Sequence, residues 1–198
     1  MQFVKDHIFH VYNRGNNSQA IFFNHSNYLF FLKKAGTYLL PYADILAWCL
    51  MPNHFHFMLY INTEELDLEV TRTHPYLKTR SINDSFAIML RSYTRSIQNQ
   101  NKITGSLFQQ GTKAICLTDP HGYTPAWFQS EYGTIINIPD PDKEHLQVCF
   151  EYIHYNPVKA KLVTLAENWQ YSSYRDMAGL RYGKLINRER IKEFGLHL

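Results

Sequence analysis

The sequence predicts an α+β fold in a single domain, with elements in the order β-α-β-β-α-β and an antiparallel sheet. Short aromatic and aliphatic runs alternate with two longer segments in which apolar residues recur at helical spacing. Two of the strand-like runs are separated by Pro52-Asn53 alone, which favours an antiparallel hairpin. A hydrophobic content of 45% in 198 residues is sufficient for one packed core.

The first strand and the first helix have clear boundaries in the sequence. Residues 7–13, HIFHVYN, alternate as a strand does and lead into a turn at residues 14–17, RGNN. Residues 24–26 offer an N-cap for a helix over residues 27–40, and Pro41 ends it.

The hairpin and the segment after it differ sharply in polarity. Residues 44–50, DILAWCL, predict the second strand, and residues 54–61 return as the third. Residues 62–80 are polar and loosely patterned, which predicts a short helix followed by a loop.

A second long helix and a fourth strand complete the core. Asn83 or Asp84 caps a helix over residues 85–100, and residues 112–117, TKAICL, form the fourth strand. The order β-α-β-β-α-β is that of the ferredoxin-like, RRM-type arrangement.

The C-terminal part adds a helix and a tail to this core. The core covers about residues 1–118, and residues 119–142, rich in proline and glycine, predict a loop insertion. Residues 143–198 hold a C-terminal helix, ending at Asn156-Pro157-Val158-Lys159, and a tail that packs back on the domain.

Net charge, cysteine content and apolar runs narrow the class of protein but do not identify its function. A net charge of +3 and a pI of about 8.7 permit nucleic-acid binding without requiring it. Three widely spaced cysteines argue against a zinc finger or a disulfide framework and favour a reducing cytoplasm. Neither a signal peptide nor an apolar run of about 20 residues is recognisable, so no membrane association is expected.

The motif MPNHFHFML places two histidines in an otherwise apolar strand. Residues i and i+2 of a strand share a face, so His54 and His56 point to one side and Phe55 and Phe57 to the other. Two neutral imidazoles so placed can bind one divalent cation. The alternative, two half-buried histidines without a ligand, remains open for so short a motif.

The second long helix carries a candidate nucleophile. Tyr93 lies between Arg91 and Arg95, whose charges suit phosphate groups. A tyrosine on the inward edge of this helix could approach the histidine face and attack a phosphodiester. The alternative is a core tyrosine, and with 14 tyrosines in the chain the two readings are about equally weighted.

Four blocks of the sequence, in order, resemble the HUH single-tyrosine transposases and especially the REP-associated tyrosine transposases. The blocks are VYNRGNNSQAIF, LAWCLMPNHFHFML, LRSYTRSIQNQNKITGSLFQQGTKA, and YIHYNPVKAKLV followed by WQYSSY. The resemblance implies cleavage and rejoining of single-stranded DNA through a 5′-phosphotyrosine intermediate. It further implies a metal bound by His54 and His56, Tyr93 as nucleophile, and a third polar ligand from the tyrosine helix. Gln98 is the nearest candidate for that ligand, before Asn99 or Gln100.

The expected partners are single-stranded or hairpin DNA and a divalent cation. Mg²⁺ or Mn²⁺ would accept imidazole and amide ligands, and Mn²⁺ suits histidine better. Many relatives are dimers, which leaves a homodimer open. The residues expected to contact DNA are Asn13, Arg14, Asn16, Asn17, Arg91, Arg95, Lys102 and Lys113.

Two rival functions use the same scaffold. A domesticated, non-catalytic protein would bind single-stranded or hairpin DNA without needing the histidine pair and the tyrosine together. A metal-dependent hydrolase acting through water would need the histidines and no tyrosine.

Overall fold

A computed structural model describes residues 2–68, 78–118 and 145–198. Its main sheet has four strands, β1 (Ile8–Arg14), β2 (Ala43–Met51), β3 (His54–Ile61) and β6 (Lys113–Cys116). Their order in the sheet is β2-β3-β1-β6. β3 lies between β1 and β2 and is antiparallel to both, and β6 pairs antiparallel with the free edge of β1. The predicted α+β fold with a ferredoxin-like strand order is confirmed.

Two helices cover the face of the sheet that carries Phe55 and Phe57. They are α1 (His25–Tyr38) and α2 (Ile82–Asn101), which pack against each other. The ring of Phe31 on α1 lies 5.1 Å from that of Phe55 and 6.3 Å from that of Phe57. The apolar stripe of α1 therefore determines which face of β3 becomes the main core.

Side-chain caps set the start of both helices. The Asn24 side chain accepts a hydrogen bond from the backbone N–H of Asn27, as expected for the cap of α1. α2 begins earlier than predicted, because Ser81 and Asp84 form a reciprocal capping box. Asp84 is thus the third residue of the helix and not its cap.

The segment before α2 forms strands where a short helix was expected. β4 (Glu65–Leu68) pairs antiparallel with β5 (Lys78–Ser81), and residues 69–77 lie outside the described residues. Glu65-Leu66-Asp67-Leu68 alternates polar and apolar residues, which is the period of a strand. The prediction of a helix here was wrong for the described residues, because the alternation within this short run outweighs the overall polarity of the segment.

The C-terminal part covers the opposite face of the sheet and its β2 edge. α3 (His145–Lys159) packs on β2 and β3, and the chain continues through α4 (Tyr174–Met177) and α5 (Arg188–Glu193). Ser172 and Ile186 form isolated bridges to β2. The predicted loop insertion at 119–142 lies outside the described residues. None of the described helices has the length and apolarity that a bilayer span requires.

Candidate active site

The two histidines of β3 lie on the face of the sheet that α3 covers. His54 and His56 have ring centroids 5.0 Å apart. The register of β1 places Arg14 opposite His54 and Tyr12 opposite His56, so both side chains join the same face. We call this surface the histidine face, defined by His10, Tyr12, Arg14, His54 and His56.

One nitrogen of each histidine is bonded to another side chain. Nδ1 of His54 lies 2.6 Å from Oδ1 of Asn53, and Nδ1 of His56 lies 2.9 Å from Nε2 of His10. These contacts leave Nε2 of both rings as the nitrogen that suits a metal. Metal-binding histidines usually have such a partner on the second nitrogen, because it fixes the ring orientation and the tautomer.

α3 adds a tyrosine and an asparagine to the histidine face. Tyr152 and Asn156 are four residues apart, so they project from the same side of the helix. The Tyr152 ring lies 5.4 Å from that of His56, nearly edge-on, and Asn156 Nδ2 lies 3.4 Å from His56 Nε2. The Asn156 side chain also bonds His54 and Tyr152.

Sequence reasoning missed this pair. The sequence pattern assigns Asn156 to the end of a helix and gives no separate role to Tyr152. A signal was available, because both polar side chains fall on the apolar, inward side of α3, beside Cys149 and Ile153. Buried polar groups at helical spacing need partners, and here the partners are histidines.

Burial keeps the imidazoles neutral. It lowers the pKa of His54 to about 4, opposed by the bond from Asn156, and it lowers the pKa of His56 well below its usual value. Burial also raises the pKa of the Tyr152 phenol. At neutral pH the site therefore presents imidazole lone pairs and a protonated phenol.

The donor set fits a divalent cation of the Mn²⁺ or Mg²⁺ type. In the described part of the chain, no three His, Cys, Asp or Glu side chains lie close enough to bind one metal ion. Among the described residues, an amide is therefore the candidate for a third protein ligand. The Asn156 side chain lies 3.4 Å from His56 Nε2, and a half-turn of its amide would exchange the nitrogen for the oxygen on that side. Two imidazoles and one amide oxygen leave room for water and phosphate oxygens.

The structure does not bring the predicted nucleophile to this site. Tyr93 is completely buried on the other side of the sheet, with its ring 4.9 Å from that of Phe31. Its hydroxyl donates a hydrogen bond of 2.6 Å to the backbone oxygen of Ile21. The inward edge of α2 is turned to the side of β3 that carries Phe55 and Phe57, which we call the phenylalanine face, because α1 and α2 pack side by side there.

The three residues predicted as a third metal ligand lie on α2, the helix that also carries Tyr93. Gln98 donates a hydrogen bond of 2.7 Å to the Gly105 backbone oxygen, and Gln100 accepts one of 2.8 Å from Asn27. Asn99 is exposed on the same helix. All three lie on the helix that covers the phenylalanine face, so the structure separates them from His54 and His56.

The residues expected to contact DNA are divided between the two faces. Arg14 lies on the histidine face, and Lys113 pairs in register with Tyr12 of that face. Arg91 and Arg95 line a groove of about 860 Å³ on the other side, between α2 and residues 106–112. Lys102 is the left-handed C-cap of α2.

The turn after β1 holds Arg14 in place. Asn13 is buried and its amide donates to Gln109 O and Thr112 Oγ1, so it is a structural residue here. Asn16 and Asn17 are exposed in the following turn, where they are accessible to a ligand. The guanidinium of Arg14 donates to Ser18 Oγ across this turn.

Comparison with solved structures identifies the architecture. A REP-associated tyrosine transposase, solved bound to a REP hairpin, superposes with a TM-score of 0.54 over 90% of this chain and 83% of its own. The fold of this chain is that of a REP-associated tyrosine transposase. This confirms the relationship expected from the sequence at the level of the fold. No protein-family model and no curated protein matches the chain.

Different helices cover the two faces of the sheet in this chain. Helices α1 and α2 belong to the ferredoxin-like core, and the C-terminal helix α3 closes the opposite face over the histidines. At 12% identity the similarity to the REP-associated transposase extends to the fold. The chemistry of the site has to follow from the side chains of this chain.

Proposed function

We propose that the protein is a metal-dependent DNA strand transferase that cleaves and rejoins single-stranded DNA through a 5′-phosphotyrosine intermediate. The observation that carries the proposal is the meeting of His54 and His56 with Tyr152 and Asn156 on one face of the sheet. The similarity to a transposase bound to a DNA hairpin supports the choice of substrate class.

His54, His56 and Asn156 are the proposed metal ligands, through Nε2 of each imidazole and the amide oxygen. Asn156 replaces Gln98 in this role, because it is the amide that contacts His56. A bound Mn²⁺ or Mg²⁺ would polarise the scissile phosphate and offset its charge.

Tyr152 is the proposed nucleophile in place of Tyr93. Its phenolic oxygen attacks the phosphorus, the bond from phosphorus to the 3′ oxygen breaks, and the phenolic proton goes to solvent. The 3′ oxygen leaves as a hydroxyl after taking up a proton, and the 5′ phosphate stays on Tyr152. Attack of a 3′ hydroxyl on this phosphotyrosine reverses the step and rejoins a strand.

Cations around Tyr152 and the histidines suit this reaction. The Lys159 ammonium lies 5.4 Å from the centroid of the Tyr152 ring, where it favours the phenolate that burial disfavours. Arg14 on β1 and Lys113 on β6 pair in register with residues of the histidine face, and we expect them to bind phosphates that flank the scissile one.

The deciding experiment is the search for a covalent protein–DNA adduct on a denaturing gel. The substrates are end-labelled DNA hairpins with randomised single-stranded flanks, incubated with Mn²⁺. We expect an adduct with the wild type, none with Tyr152→Phe, and an adduct with Tyr93→Phe. Tyr155→Phe is the matched control, because Tyr155 lies on the same helix and is 38% exposed.

Each other outcome selects a different function. An adduct that survives in Tyr152→Phe and disappears in Tyr93→Phe would return the nucleophile to α2. Cleavage by the wild type without any adduct would show a hydrolase acting through water. Hairpin binding without cleavage would show a non-catalytic DNA-binding protein on the same fold.

A further inference from the structure

A third histidine lies behind the proposed metal site. His10 is on β1, the strand between β3 and β6, and it is 1% exposed. Its Nε2 lies 2.9 Å from Nδ1 of His56, within hydrogen-bond distance and away from solvent. The two rings are stacked, with centroids 5.1 Å apart and planes 20° from parallel.

The hydrogen bond between two neutral imidazoles allows few proton arrangements. A neutral imidazole carries one N–H, so one of the two facing nitrogens must donate and the other must accept. If Nε2 of His56 is to offer its lone pair to a metal ion, the ring proton of His56 must be on Nδ1. That N–H then donates to His10 Nε2, and the proton of His10 must be on its own Nδ1.

The opposite arrangement would disable the site. If His10 donated from Nε2, His56 would accept at Nδ1 and carry its proton on Nε2, the nitrogen that faces Asn156. A protonated Nε2 cannot bind a cation. The acceptor at His10 therefore selects the tautomer of His56 on which metal binding depends.

The same pair of rings supports Tyr152. The Tyr152 ring stands edge-on to both imidazoles, with interplanar angles of 81° to His56 and 80° to His10. Its centroid is 5.4 Å from that of His56 and 6.0 Å from that of His10. A movement of the His10 ring would therefore displace His56, the proposed ligand. It would also change the surface against which the Tyr152 ring packs.

We propose that His10 is a positioning residue that holds His56 as the Nδ1–H tautomer, with Nε2 prepared for the metal and the ring plane fixed against Tyr152. The inference rests on the proposed function for the identity of the metal site. It adds a residue that touches neither the metal nor the DNA, and it specifies a proton arrangement that can be measured in the metal-free protein.

The first test is the tautomeric state of the wild-type protein without metal. Long-range ¹H–¹⁵N correlation spectra distinguish the two nitrogens of each imidazole, and the His10→Gln and His56→Gln variants assign the signals. We expect both His10 and His56 to carry the proton on Nδ1 at pH 7. A His56 signal with the proton on Nε2 in the wild-type spectrum would overturn the proposal.

The second test is the affinity for Mn²⁺ alone, measured by electron paramagnetic resonance of free Mn²⁺. We expect His10→Phe, which keeps a ring and loses the acceptor, to weaken binding about 10- to 100-fold, as loss of an outer partner does elsewhere. His10→Gln retains an acceptor oxygen at a similar distance and should recover most of the affinity.

A second buried histidine provides the control. His154 is as buried as His10 and bonds Ser173 Oγ at 2.8 Å, away from the histidine face. His154→Gln should leave Mn²⁺ affinity within about twofold of the wild type. Equal losses in His154→Gln and a folded His10→Phe, or no loss in His10→Phe, would overturn the role of His10.

The two proposals fail in different ways. If the wild type forms the covalent adduct and His10→Phe binds Mn²⁺ normally, strand transfer stands and the positioning role is overturned. If the tautomers and the Mn²⁺ affinities are as expected and no adduct forms, the positioning role stands and strand transfer is overturned.

Discussion

Gly15 determines where Arg14 lies beside the proposed metal site. A Cβ atom on Gly15 would lie 2.0 Å from the backbone oxygen of Gln19, a distance no side chain tolerates. The Gly15 N–H donates a hydrogen bond of 2.7 Å to the backbone oxygen of Asn53, which precedes His54. The turn after β1 is therefore tied directly to the turn that leads into the histidines.

We expect Gly15→Ala to disturb both stability and DNA binding. The clash is with backbone, so the turn must move, at a cost of about 1–3 kcal/mol, typical of overpacking. Arg14 moves with it, so hairpin binding should weaken in a gel-shift titration, and urea unfolding measures the stability.

Gly36→Ala is the matched control for that variant. Gly36 lies inside α1, where the nearest atom to an added Cβ is 3.6 Å away. An alanine there should raise the free energy of unfolding by about 0.5–1 kcal/mol, because glycine is a poor helix residue. A Gly15→Ala protein as stable as the wild type would contradict the tie between the two turns.

At the scale of elements, α2 and α3 have separate tasks on opposite faces of the sheet. α2 fills the main core, where Tyr93 packs on Phe31 and bonds the Ile21 backbone. α3 presents Tyr152 and Asn156 to the histidine face. Both helices carry a tyrosine near arginine or lysine. Only the packing of the helices shows which of the two tyrosines lies beside the histidines.

We expect Tyr93→Phe to reduce stability and to leave the chemistry intact. Removing the hydroxyl leaves the buried backbone oxygen of Ile21 without this donor, which costs about 1–3 kcal/mol. Chemical denaturation measures the loss, and the adduct assay on the same preparation measures the chemistry. A variant with wild-type stability and no adduct would contradict the structural role of Tyr93.

At the scale of the whole molecule, His154 joins the C-terminal tail to the sheet. Its Nε2 lies 2.8 Å from Ser173 Oγ, and that oxygen also accepts from the backbone N–H of Trp48 on β2. Burial lowers the pKa of His154 to about 3, although the Phe150 backbone and the Asp176 carboxylate act to raise it. The Tyr174 ring packs edge-on against it, 6.0 Å away.

This low pKa predicts a loss of stability below about pH 6.5. The unfolded chain binds a proton at His154 near pH 6.5 and the native chain does not, so acid favours unfolding. At pH 5 the contribution is about 2 kcal/mol, from 1.5 pH units at about 1.4 kcal/mol each. The other buried histidines with lowered pKa, His10, His54 and His56, act in the same direction.

Urea unfolding at pH 7, 6 and 5 checks the effect of His154 separately. The variant His154→Gln keeps a polar partner for Ser173 and cannot titrate. We expect it to lose about 2 kcal/mol less than the wild type between pH 7 and pH 5. Parallel pH profiles for the two proteins would contradict a neutral, buried His154.

The charge distribution of the whole molecule predicts salt-sensitive, strand-selective DNA binding. The net charge is only +3, so affinity depends on local cations such as Arg14 and Lys113 at the histidine face. Binding of phosphates releases counterions, and affinity for a hairpin with single-stranded flanks should fall steadily with added salt. Gel-shift titrations at several salt concentrations measure this, and equal affinity for a random duplex would contradict it.

Several features of this protein were determined by the sequence itself. Alternation in HFHF placed His54 and His56 together, because the strand period of two depends only on backbone geometry. The hairpin at Pro52-Asn53, the cap at Asn24 and the order of strands and helices also follow from local patterns. These are short-range effects, and a single sequence carries them directly.

Only the tertiary structure decided which helix meets the histidines. Tyr93 and Tyr152 both lie on helices with inward-facing aromatic residues, and nothing local distinguishes a tyrosine packed on Phe31 from one packed on His56. The choice depends on which face of the sheet each helix covers. It therefore depends on contacts such as Tyr93 with Phe31 and Tyr152 with His56, between residues about 60 and about 100 positions apart in the chain. His10 is a similar case, since its bond to His56 exists only because β1 pairs with β3. Pairing of distant strands and helices is a property of the packed core, and it places Tyr152 and Asn156, not Tyr93 and Gln98, beside the proposed metal ligands.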